Sequence, residues 1–86
     1  MQQVGKWLTR SGQGDSEAFH KLYQHTSPRL YGLCLQLLGD PSKAEQVLEA
    51  GFVQVWQRAA CYTPGGEDAF VWMLRIFQKT ARKTGA

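Results

Sequence analysis

The chain has no apolar run long enough to cross a bilayer, which takes about 20 residues; the longest, LYGLCLQLL at 30–38, is broken by Gln36. Its first residues, MQQVGKWLTRSG, lack the apolar centre of a signal peptide, so neither export nor a membrane partner is expected. Cysteine is scarce: Cys34 lies in an apolar run and Cys61 in a turn-like stretch, a pair that makes neither a disulfide framework nor a metal-ligand spacing. A reducing compartment, the cytoplasm, is therefore expected. His20 and His25 stand five apart and diverge on a helix, where a zinc pair needs a spacing of four, so no metal site is expected. No Ser-His-Asp or Cys-His set, no paired-carboxylate cleft and no Gly-rich turn after a strand can be assembled. Neither catalysis nor a cofactor is expected.

What is present suffices for one folded unit. The 86 residues are 43% hydrophobic and 12% aromatic, enough for a single core if nearly every apolar residue joins it, and residues 1–86 read as one domain. The net charge of +3 and pI near 9.1 hint at an anionic partner, and the distribution says more. Residues 1–60 hold six basic and five acidic groups, whereas residues 69–86 hold Arg75, Lys79, Arg82 and Lys83 with no acid.

Gly, Pro and Ser divide the chain into five segments of helical periodicity, which predicts an all-α bundle of four to five helices. Val4, Trp7 and Leu8 make a short amphipathic helix that ends at Ser11–Gly14. Asp15 caps a second helix, with Ala18, Phe19, Leu22 and Tyr23 on one stripe, up to about His25. Ser27 and Pro28 then predict a separate third helix running through Leu30, Tyr31, Cys34, Leu37 and Leu38 to Gly39. Asp40 and Pro41 start a fourth, about 41–60, whose Ala44, Val47, Leu48, Gly51, Phe52, Val55, Trp56 and Ala59 keep one face. CYTPGG at 61–66 reads as a loop. A last helix, about 67–83, has Glu67 and Asp68 in its first turn and Ala69, Trp72, Met73, Ile76 and Thr80 inward.

On that helix Arg75, Lys79, Arg82 and Lys83 fall on a stripe adjoining the inward one. Such a stripe either grips phosphates or is a solvated helix end suited to the dipole. Aromatic company favours the first, because single strands are held by positive grooves with stacking platforms. Tyr62 and Phe70 are the candidates for exposure, Trp56 and Trp72 for packing. Glu45 and Glu49, four apart on the fourth helix, either dock on a basic partner or keep a long helix soluble.

The order of these segments resembles region 2 of bacterial sigma factors, in the extracytoplasmic-function (ECF) group of the sigma-70 family. GDSEAFHKLYQHTSPRLYGLCLQLLGDPSKAE at 14–45 is similar to the family's opening, with its Gly-Asp, Ala-Phe, Leu-Tyr, Pro-Arg-Leu-Tyr and Leu-Gly-Asp anchors. AEQVLEAGFVQVWQRA at 44–59 resembles its A-E-D-x-x-Q-E-x-F-x-x-x-W-R helix, and WMLRIFQK at 72–79 its W-L-x-x-I-A-R-N. The resemblance implies that the helix at 41–60 binds the β′ clamp helices of core RNA polymerase through Glu45, Gln46 and Glu49. It implies that loop 61–66 pockets a flipped base of the −10 promoter element, and that Tyr62, Thr63, Phe70, Arg75, Gln78, Lys79, Arg82 and Lys83 meet the non-template single strand. Region 4, the family's second DNA-reading domain, is absent from the 86 residues. Where the family has Asp, Gln and Glu the chain has Gln46, Glu49 and Ala50, and for Ala-Arg-Asn it has Phe77, Gln78 and Lys79. These departures motivate a second expectation, a sigma mimic or degenerate paralogue that binds an anti-sigma factor without recognising promoters.

Overall fold

The structure, a computed structural model, describes residues 2–85: four helices and one 3-10 turn, with no strand among the described residues. Helix α1 spans Gln2–Gly12, α2 Ser16–Leu38, α3 Pro41–Arg58 and α4 Ala69–Gly85; the 3-10 turn, Ala59–Cys61, continues α3.

The main departure from the sequence expectation is that the second and third segments form one helix. Pro28 lies inside α2, where it removes an amide donor at a cost of about 3 kcal/mol, yet the helix runs through it. The buried residues Ala18, Leu22, Thr26, Leu30 and Cys34 recur every four positions, so one apolar stripe holds both halves against the same neighbours. Thr26 belongs to that stripe because its hydroxyl donates to the Leu22 carbonyl at 2.7 Å, satisfying itself within the helix. Asp15 caps the start by accepting from the Glu17 and Ala18 amides. Gly39, left-handed at φ 66°, ends it and donates to the Leu35 carbonyl.

Asp40 caps α3 through the Ser42 amide, with Pro41 at the first helical position as expected. Helix α4 begins later than expected. Asp68 is its cap, accepting from the Phe70 and Val71 amides, which leaves Glu67 in the preceding loop.

Helix α3 packs against both α2 and α4, while α1 lies on α2 and abuts the 3-10 turn. Gly12 permits that contact: a Cβ there would stand 2.8 Å from the backbone of Ala59. Leu8, Leu22, Leu30, Cys34, Val47, Val55, Met73 and Phe77 are fully buried at the centre. Around Phe52 the aromatic rings interlock, with Phe19, Tyr23 and Phe77 at centroid distances of 6.1, 4.7 and 5.1 Å, mostly edge to face. Gln54 donates to the Thr80 hydroxyl, which itself donates to the Ile76 carbonyl, adding a polar tie between α3 and α4.

Candidate nucleic-acid groove and docking face

The end of α3 and the exposed side of α4 enclose a groove of about 570 Å³, lined by Arg58 and Cys61 on one wall and by Trp72, Arg75, Ile76, Gln78, Lys79 and Arg82 on the other. Four cations thus face one channel from two elements. Arg75, Gln78, Lys79 and Arg82 reach it because α4 buries Met73, Phe77 and Thr80 on its opposite side, as helical periodicity predicts. Arg58 and Cys61 are brought in by the turn that ends α3, and both are exposed. Lys83 is exposed but does not line the groove.

The aromatic residues are distributed differently from the sequence expectation. Phe70 and Lys79 are nine residues apart, which at about 100° per residue is half a turn. Phe70 therefore sits on the far flank of α4, half-buried, with the Arg29 guanidinium 5.2 Å above its ring. Trp72 packs against the core, as expected, and also lines the groove, where it meets Tyr62 edge to face at 5.7 Å. Tyr62 is half-buried, not exposed, because it is held between α4 and α1. Trp56, expected to pack, meets Phe19 edge to face at 5.1 Å but is 38% exposed.

The loop between the 3-10 turn and α4 forms the next feature. Thr63 is exposed and its carbonyl accepts from the Gly66 amide, closing a turn whose Gly65 has φ 86°. With α1 this loop borders a cleft of about 960 Å³. Glu67 reaches out of the loop to pair with Arg75, a surface contact worth roughly 0–1 kcal/mol.

A second face has different chemistry. On α3, Glu45, Gln46 and Glu49 are exposed and lead into Val53 and Trp56, which are 54% and 38% exposed. Glu49, Phe19, Tyr23, Phe52, Val53 and Trp56 line an apolar pocket of about 560 Å³. An aromatic pocket with Glu49 at its rim suits a partner helix that offers an apolar anchor and a basic neighbour. The sequence signalled the glutamates; the pocket appears only when α2 brings Phe19 and Tyr23 against α3.

Burial raises the Cys34 thiol above its ordinary pKa, partly offset by a backbone hydrogen bond, so it stays protonated in the core. Among the described residues no group of three or more His, Cys, Asp or Glu could hold a metal ion, and no helix is long and apolar enough to cross a membrane.

Comparison with known proteins gives this arrangement a context. The family model of sigma-70 region 2 matches residues 22–83. The ECF RNA polymerase sigma factor SigK of Mycolicibacterium vanbaalenii is 36% identical over 74 residues, covering 86% of this chain and 38% of the relative. The protein of the same name from Mycobacterium sp. strain KMS is 31% identical over the same shares, and that from Mycobacterium tuberculosis H37Ra 30% identical, with 40% of its length covered. The chain thus spans about two fifths of the length of these relatives. No solved structure matches at a comparable level of significance.

Proposed function

Because the chain belongs to the sigma-70 region 2 family, with its relatives in the ECF group, we propose that it serves as the polymerase-binding and promoter-opening module of a sigma factor in the cytoplasm. The observation that carries this reading is the groove in which Arg58 from α3 faces Arg75, Lys79 and Arg82 from α4 beside Trp72. Converging cations neutralise backbone phosphates whatever the sequence, and an aromatic ring in the groove wall offers a base a stacking partner. The role is binding: unstacking a base costs a few kcal/mol, which phosphate neutralisation and the loop at 61–66 offset with no bond made or broken.

The second face supports the other half of the role. Glu45, Gln46 and Glu49 and the pocket at Trp56 form the surface that meets the β′ clamp helices. Being on the α2–α3 side, it leaves the groove free for the non-template single strand of promoter DNA.

The rival reading, a mimic that holds an anti-sigma factor and no promoter, rests on the substitutions at Gln46, Ala50, Phe77 and Gln78. Phe77 is fully buried, so that substitution changes packing and leaves the groove surface as it was. Gln78 does line the channel, and it retains hydrogen-bonding capacity.

Titration of a fluorescent single strand across a salt series tests the groove. Replacing Lys79 and Arg82 by Gln should lower the slope of log affinity against log salt by about 1.4, or 0.7 per lost phosphate contact. An unchanged slope and affinity would contradict the assignment.

A further inference from the structure

The basic groove and the cleft beside α1 share a wall. Trp72 lines the groove, Tyr62 lines the cleft, and the two rings pack edge to face at 5.7 Å. The Tyr62 hydroxyl reaches α1 itself: a Cβ built on Gly5 would be 3.6 Å from it. A strand leaving the groove over Trp72 therefore passes Tyr62 and arrives at α1.

What it meets there is cationic. Lys6 and Arg10 both line the cleft and both are exposed. They stand four apart on one face of α1, where like charges repel, and the 11 residues of that helix contain no carboxylate to offset them. The two acids on the loop side of the cleft are already engaged, Glu67 with Arg75 and Asp68 with the first amides of α4. Among the described residues no salt bridge involves Lys6 or Arg10. A repelling pair on a short helix, facing a cleft open to a strand's path, is relieved by an anion bound there.

We infer that the single strand continues past the loop onto α1, where Lys6 and Arg10 engage its phosphates. This rests on the groove reading and extends it to an element outside the matched residues 22–83. The loop then lies under the middle of the strand, clamped by cations on both sides, which holds the backbone taut where a base must leave the stack. The α1 cations set the length of strand held and contribute affinity independent of sequence.

The test uses two oligothymidines, one of about four nucleotides and one of about twelve, within the range of single-strand site sizes. Each is titrated across a salt series against the wild-type chain, a Lys6→Gln/Arg10→Gln variant and the Lys79→Gln/Arg82→Gln variant. On the longer strand the α1 variant should lower the salt slope by about 1.4 and weaken binding severalfold, while the shorter strand, held in the groove, loses little. A charge-conserving Lys6→Arg/Arg10→Lys variant should restore the slope, and thermal melting confirms that each variant is folded. Equal weakening of both strands would mean that the pair acts only through net charge, and no weakening on the longer strand would mean that it makes no contact; either overturns the inference. If only the groove variant loses affinity, the groove reading survives without the α1 extension. If the wild-type chain binds neither strand, both readings fall.

Discussion

The ring of Phe77 occupies the volume that a side chain at position 51 would need. A Cβ on Gly51 would stand 2.7 Å from Cζ of Phe77 and closer still to two other ring atoms, and Phe77 is fully buried with no space into which to retreat. The large residue on α4 and the absent side chain on α3 thus form one packing unit. Gly51→Ala gains about 1 kcal/mol in helix propensity but meets overpacking of about 1–3 kcal/mol, so a net loss is expected. Melting should fall by several degrees, at about 4–8 °C per kcal/mol for a domain this size. Combined with Phe77→Leu, the loss at position 51 should shrink; additive losses would show that the two sites are independent.

Pro28 offers a gain by the opposite logic. It is exposed, lies mid-helix and leaves the Gln24 carbonyl without its amide donor. Pro28→Ala should raise stability by about 1–2 kcal/mol in denaturant titration, the restored bond exceeding the entropy returned to the unfolded chain. A loss of stability would mean that α2 depends on the interruption.

The two cysteines should report the groove. Cys61 is exposed on its wall, whereas Cys34 is buried with its thiol pKa raised by desolvation. An alkylating reagent should modify Cys61 alone in the folded chain, and a bound single strand should slow that reaction. Protection that disappears in the Lys79→Gln/Arg82→Gln variant ties it to the groove; a rate indifferent to the strand would place the nucleic acid elsewhere. Because the unfolded chain releases the Cys34 proton at a lower pH than the folded one, that group's contribution is intact below the ordinary thiol pKa. It is lost as pH rises through the raised value, so Cys34→Ala should flatten the alkaline decline in stability.

Helix identity, caps and the phase of the basic stripe were legible because they depend on local chemistry: Asp15 and Asp40 cap where expected, and Arg75, Lys79 and Arg82 share one face. The split at Pro28 misread a stripe whose register is continuous across the proline, since Thr26 looks polar until its hydroxyl bonds to its own helix. Nearness in sequence groups Phe70 with the cations, although helical phase puts it half a turn from Lys79. Arg58, the role of Trp72 and the pocket at Trp56 depend on how helix ends and faces meet. Periodicity along one segment carries no information about that meeting.

The most direct test of the central claim, that this domain docks on polymerase through α3, is its binding to an isolated β′ clamp-helix fragment. The wild-type chain should bind, and Glu49→Lys, an exposed substitution that leaves the core untouched, should lose most of that affinity. A folded wild-type chain that does not bind the fragment, or a variant that binds it equally well, would contradict the account.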